Sequence, residues 1–427
     1  MRVRWSVAIL CFLATIVSYI DRQALSVNAP FIRDELGLSN VQYSTLVNAF
    51  LLAYTIGQAV TGRLVDALGA RTSFAMFIAW WSVAGMLHAS AKGVTDLALF
   101  RFLLGLGEAG SWPASMRAVS EWFPARERSI AVGLFGSGTA IGALVAVPIV
   151  ARLTLVANWR WAFLITGALG VLWLIAWLAF YAAPERHPWL SSAERGLILE
   201  ARAADSQAPL GYLALLGQRK AWGVLLGRLC VDPVWLFYVF WLPNYLKNAR
   251  GFSLHTIELT GWIPFLTAYV GNVFGGWLSA HGLARGWTLA RARRTVLALG
   301  AVGASLGVPA SLVPEPWQCL TFISAATFSI GLWTTTAMTL NGDVVPQGSI
   351  GRMTGLSGVG SGLGSIAFTA LTGWLVDHAS YRPVFWLAGM LPLVGLAAVI
   401  LLTGDMAPAS VSLAFSDGAA ASDPGRS

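Results

Sequence analysis

Residues 5–27 read WSVAILCFLATIVSYIDRQALSV, an apolar run long enough to cross a bilayer core at 1.5 Å per residue. Near its end stand Tyr19, Asp21 and Arg22. A charged side chain in hydrocarbon costs about 2.5–3.5 kcal/mol on insertion scales. An adjacent acid and base in a spanning helix therefore face protein or a water-filled cavity, where each finds a partner. The rest of the chain reads as the scaffold of that cavity.

The 427 residues are 56% hydrophobic and only 11% charged, with a mean hydropathy of +0.66. Soluble domains carry about 25% charged residues, so this is an integral membrane protein. The predicted spans are 5–27, 43–65, 72–91, 95–118, 128–152 and 160–181, then 219–247, 256–280, 293–313, 317–341, 351–376 and 382–403. Strand-type alternation is weak, so these are helices rather than barrel strands. The fold class is all-α, twelve transmembrane helices in two six-helix bundles.

The net charge of +8 is topological rather than a nucleic-acid footprint. With the N-terminus in the cytoplasm and alternating spans, most of the 28 Lys and Arg fall on cytoplasmic segments, the positive-inside bias. Both termini are then cytoplasmic. The start has a basic residue pair but no small-residue cleavage site, and Asp21-Arg22 follows, so it reads as a first span rather than a secretory signal. Cys11, Cys230 and Cys319 fall in spans, with neither a disulfide framework nor metal spacing. No metal and no cofactor are expected.

The expected organisation is a first bundle at 1–182, a charged cytoplasmic linker at 183–218, a second bundle at 219–404 and a disordered tail at 405–427. Within the linker, Ser191 to Ala203 reads as a short surface helix with Ser191 or Ser192 as N-cap. Gly62 to Asp66 (GRLVD) and Gly373 to Asp377 (GWLVD) form a faint internal repeat. The topology puts its two copies on opposite faces, as inverted repeats require.

Four constellations carry candidate chemistry. In the loop 62–71 (GRLVDALGAR), Asp66 and Arg71 flank Gly69; Asp66 can accept from a neighbouring helix terminus and Arg71 can pair across the gap, a latch between bundle arrangements. In the fourth span, Arg101 and Glu108 lie two turns apart on one face, with Arg101 at a depth that matches Asp21 and Glu108 nearer the midplane. In the seventh span, Arg228 and Asp232 are spaced i and i+4 ahead of Pro233, either a structural pair at a kink or a gating element. Trp235, Tyr238 and Trp241 follow and can stack on a sugar ring, although Trp residues also build interfacial belts. His88 and His281 lie near span ends and read as interfacial.

The loop 62–71 resembles the signature loop of the major facilitator superfamily, with Ala67 where the family usually has Arg. Tyr19-x-Asp21-Arg22, the RFLLGxxEA of Arg101 to Ala109 and the EWFPxRERSIA of Glu121 to Ala131 resemble its anion:cation symporter branch. Asp232-Pro233, Phe237 to Leu246, Gly275 to Ser279 and Gly286-Trp287 are similar to hexuronate transporters of that branch. The resemblance implies proton-coupled uptake of a sugar acid such as a hexuronate or aldonate across a bacterial inner membrane. It implies that Tyr19, Arg22 and Tyr54 contact substrate and that Asp21 and Glu108 carry protons. Two positions depart from the hexuronate pattern: Gly136 stands where relatives often have Asn. Ile330 to Thr336 (IGLWTTT) replaces a more polar run.

The expected mechanism couples the two cargoes through Asp21. Ionised, Asp21 partly neutralises Arg22; protonated, it frees a guanidinium whose fork suits a carboxylate. Glu108, with Arg101 nearby, is then the second proton site. The partners are a small organic anion, protons and the lipid bilayer, with no nucleic acid, and the chain is expected to act as a monomer. A non-sugar carboxylate or an exchange mode is the alternative. A non-transporting sensor needs a soluble output domain, for which the linker is too short.

Overall fold

The computed structural model describes residues 3–123, 125–203, 210–345 and 349–404. The tail expected at 405–427 and the middle of the linker, Asp205 included, lie outside the described residues. The helices in chain order are α1 (Val3–Leu36), α2 (Asn40–Leu87), α3 (Val94–Glu108), α4 (Ser111–Trp122), α5 (Ala125–Val156), α6 (Trp159–Phe180), α7 (Ser192–Ala203) and α8 (Tyr212–Leu216). They continue with α9 (Arg219–Arg250), α10 (Leu254–Thr260), α11 (Ile263–Ala284), α12 (Leu289–Ala304), α13 (Gly307–Ala310), α14 (Pro316–Asp343), α15 (Ile350–His378) and α16 (Tyr381–Thr403).

Among the described residues, seven helices are individually long and apolar enough to span a membrane. The other spans are hidden by breaks. Gly69, at φ 73° and ψ 167°, divides the 48-residue α2 into two spans; this left-handed backbone suits glycine. The fourth span is α3 and α4, interrupted at Ala109–Gly110 directly after Glu108. The eighth and ninth are likewise split into α10 with α11 and α12 with α13. The result is the expected twelve-helix, all-helical membrane fold.

Local chemistry sets the helix ends. A capping box starts α2: Ser39 Oγ accepts from Gln42 N, and Gln42 Oε1 accepts from Ser39 N. Gly251, at φ 69°, closes α9. Pro233 and Pro243 sit inside α9, yet the helix runs through both, because neighbouring helices support it on most sides.

The first bundle (α1–α6) and the second (α9–α16) meet mainly where α2 packs on α15, α1 on α9, and α5 on α10 and α11. The fold has two faces: the linker face carries the start of α1, α7 and α8, and the far face carries the ends of α1, α9 and α15. At the far face the bundles are knitted together. Ser26 Oγ donates to Val239 O and Phe240 O at 2.8 and 3.1 Å, and Tyr43 Oη to Phe240 O at 2.6 Å. Arg33 donates to Asn244 Oδ1 at 3.1 Å. Asp377, at the end of α15, accepts from Asn40 N, Asn40 Nδ2 and Val41 N at 2.7–3.0 Å, so the second bundle caps a helix of the first. Partial burial works against the Asp377 charge, but these N–H donors outweigh it and hold the carboxyl below the usual carboxylate range.

Near the linker face, strong pairs run within one half: Arg4 with Glu127 at 3.0 Å, Arg117 with Glu121 at 2.7 Å, and Arg293 with Asp343 at 2.7 Å. The repeat copies fall at opposite faces. Asp377 caps α2 at the far face, whereas Asp66, at the linker face, is exposed and 3.7 Å from Arg117.

Candidate functional site

The site is built on α1. Residues 15, 18, 19, 22 and 26 follow the helical repeat along one side of it, and Arg22 is only 8% exposed. Its Nε donates to Glu108 Oε2 at 2.5 Å, and Ser18 Oγ donates to the same oxygen at 3.0 Å. Three rings frame the guanidinium: Tyr19 at 4.8 Å, Phe50 at 5.1 Å and Tyr54 at 4.7 Å from its carbon. Phe50 and Tyr54, one turn apart on α2, stack at 5.7 Å. Trp235 of α9 reaches Tyr19 from the second bundle and is half-buried, its ring edge-on to Phe265.

Close helix approach makes this geometry possible. A Cβ at Gly105 would lie 2.5 Å from Phe50 O and 3.0 Å from Ala53 Cβ. Without one, α3 lies directly on α2 and carries Glu108, three residues on, to Arg22.

Arg22 thus pairs with Glu108, not with its sequence neighbour Asp21, which corrects the expected neutralisation within α1. Consecutive helical residues diverge by about 100°, and Asp21 points elsewhere. It is 2% exposed and faces Gly85 and Thr166 inside the first bundle. Its two carboxylate oxygens have no hydrogen-bond partner among the described residues, nor do the three guanidinium nitrogens of the fully buried Arg101. The two side chains lie within electrostatic reach of each other and of Glu108. The first bundle therefore holds two acids and two bases of which one pair is closed and the other open.

The remaining expected site residues separate. Arg228 pairs with Asp232 at 2.8 Å and donates to Ser357 Oγ at 3.0 Å, which donates to Asn341 Oδ1. These contacts lie inside the second bundle and do not reach across to the first. Asp66 and Arg71 do not pair with each other: Arg71 donates to Leu178 O at 2.8 Å. Tyr238, expected to face substrate, is 1% exposed and packs toward Gly307 and Phe385 within the second bundle, away from Arg22. His88, expected at the interface, is fully buried and stacked at 4.9 Å on Phe163, beside Arg101. His281 stacks on Trp277. Beside Gly136 lies Trp112, 3.6 Å from where a Cβ would stand, so an indole occupies the side where relatives often carry Asn.

Ser18 and Phe50 were missed from sequence. Each carried a usable signal, an i−4 spacing from a named candidate: Ser18 from Arg22 and Phe50 from Tyr54.

A buried arginine, ringed by aromatics and held by a carboxylate at a helix break, is an arrangement chemically able to take an anion in competition with that carboxylate. The sequence profile of the Major Facilitator Superfamily matches residues 11–290 and 282–422. The chain belongs to the major facilitator superfamily. The hexuronate transporter of Escherichia coli K12 is 34% identical over 399 residues, covering 92% of each chain. The galacturonate transporter of Dickeya chrysanthemi is 37% identical over 279 residues, 64% of this chain and 81% of that one. In fold, the chain is similar to a D-xylose–proton symporter, with a TM-score of 0.75 over 94% of this chain and 98% of that one at 16% identity. This superfamily member is a membrane transporter and not an enzyme.

Proposed function

We propose that this transporter takes up a sugar acid, a hexuronate or aldonate, together with protons. The observation that carries the reading is Arg22, ringed by Tyr19, Phe50 and Tyr54 and closed by Glu108. A carboxylate suits the guanidinium bidentately, and flat rings suit the apolar faces of a sugar. The relatives named for hexuronate and galacturonate support the same substrate class.

Glu108 and a substrate carboxylate compete for one guanidinium. Protonating Glu108 removes its charge and frees Arg22 for the anion; binding the anion in turn favours the protonated acid. Such coupling is reciprocal, and it makes proton and substrate travel together. Asp21 is the second proton carrier. Its carboxylate is buried within electrostatic reach of Arg101 and Glu108, so its protonation is coupled to theirs inside the first bundle rather than to substrate directly. Rocking of the two bundles exposes the site to each side in turn, with Asp66 and Arg71 at the linker face available to latch the opposite arrangement, while the Arg228–Asp232 pair holds the second bundle together. The positive-inside bias supports a cytoplasmic linker face and cytoplasmic termini, and the reading takes the protein to act as a monomer in a bacterial inner membrane. In the arrangement described, the far gate is shut.

The test is uptake of labelled glucuronate and galactonate by purified protein in liposomes, with and without an inward proton gradient. The expected result is accumulation that follows the gradient and is competed by sugar acids. Gradient-independent exchange would overturn proton coupling, and uptake of other carboxylates alone would overturn the substrate class.

A further inference from the structure

Beyond the closed far gate lies a second recess of about 460 Å³, lined by Arg33, Asn40, Tyr245, Asn248, Arg250 and Arg382. That volume is within the usual range of small-molecule pockets, about 300–1,000 Å³. It is separated from Arg22 by the Ser26 and Tyr43 contacts to Val239 and Phe240, because Tyr245 and Arg250 lie further along α9 toward the far face.

Three guanidinium groups converge there. Among the described residues, none of the three forms an ion pair. Arg33 donates to Leu38 O and Asn244 Oδ1. Arg250 donates to Tyr245 Oη, Val313 O and Ala310 O. Arg382 is exposed, and its side chain makes no hydrogen bond or ion pair among the described residues. Neutral acceptors fix two of the arginines in place without cancelling them. Of the acids nearby, Asp34 pairs with Lys247 at 3.6 Å, and Asp377, which caps the start of α2, lies within electrostatic reach of Arg33 without forming an ion pair with it. Asn40, Asn248 and Tyr245 add groups that suit hydroxyls.

We propose that this recess is a second, weaker site for a polyhydroxy carboxylate, and that its occupancy holds the far gate shut. The substrate class rests on the sugar-acid reading above. The gating consequence follows from the lining: Arg33 and Asn40 belong to the first bundle and the other four residues to the second. A ligand that touches both halves binds only when they are together, and so stabilises that arrangement.

Equilibrium dialysis of labelled glucuronate against purified wild-type, Arg22→Ala, Arg382→Glu and Arg382→Gln protein tests this. Wild type is expected to show two classes of site, and Arg22→Ala only the weaker one. Arg382→Glu should weaken that class at least tenfold and Arg382→Gln less, both leaving the stronger class intact, which also reports folding. Loss of all binding in Arg22→Ala, or a weak class indifferent to Arg382, would overturn the far-face site and leave the sugar-acid reading standing. Absence of both classes in wild type would overturn both.

Discussion

The two bundles each bury arginine and aspartate in membrane-spanning helices, and they treat them differently. In the second, Arg228 and Asp232 are one turn apart on α9, bonded to each other and tied through Ser357 to Asn341. In the first, four charges come from two helices, Arg22 and Glu108 are joined, and Asp21 and Arg101 stand buried without a hydrogen-bond partner among the described residues. A closed local pair is insensitive to how bundles move, because both partners ride on one helix. A pair that spans helices, with unspent neighbours, can exchange partners when a proton or an anion arrives. On the proposed function, the difference separates charges that hold the scaffold from charges that act on a ligand.

The contrast breaks most visibly at Arg22. Arg22→Ala is expected to reduce sugar-acid uptake in liposomes by roughly a hundredfold, since it leaves Glu108 buried without its cation. Arg22→Lys should rescue little, because the fork is lost. Next come the proton sites. Glu108→Gln and Asp21→Asn should abolish gradient-driven accumulation while substrate counterflow persists; retained accumulation in both would sink the assignment.

In the second bundle the expectation is thermodynamic. Arg228→Ala should cost about 3–5 kcal/mol of stability by stranding Asp232, and the double change Arg228→Met with Asp232→Leu should recover most of it, read from thermal unfolding in detergent. If the recovered double variant folds but does not transport, the distinction between the bundles fails.

A smaller effect is expected at the far gate. Asp377→Ala removes a helix cap worth about 1 kcal/mol, which should speed maleimide labelling of a Ser26→Cys probe several-fold. Because the Asp377 pKa lies below its ordinary value, the cap is present above the usual carboxylate range and is lost as pH falls through the lowered value. Opening of the far gate in the otherwise unchanged protein, read from the distance between spin labels placed across it rather than from thiol reactivity, should rise only at such acid pH. Least of all, Tyr238→Phe should leave uptake within twofold of wild type, while Tyr54→Phe raises KM.

The fold was legible because membrane crossing imposes a simple rule on local sequence. Runs of about 20 apolar residues must be helices, so even the spans broken at Gly69, Ala109–Gly110 and Gly261 were found from composition. The candidate charges were legible for the same reason, since Asp21, Arg22, Arg101 and Glu108 are conspicuous inside apolar runs. Their pairing was not. Adjacency suggested Asp21 with Arg22, but helical geometry sends neighbours to different sides and the Gly105 contact brings Glu108 in instead. Tyr238 and His88 show the same limit: each sits on a correctly placed helix, and only packing decided that one faces Phe385 and the other Phe163.

Sequence by itself thus determined the membrane class, the number of spans and which polar residues the bilayer could not tolerate without a purpose, because the cost of burying charge in hydrocarbon acts on each segment alone. Tertiary structure decided who partners whom, which face is shut and where the second arginine recess lies. Those depend on contacts between residues as far apart as Asn40 and Asp377, and no local spacing encodes a distance across two bundles.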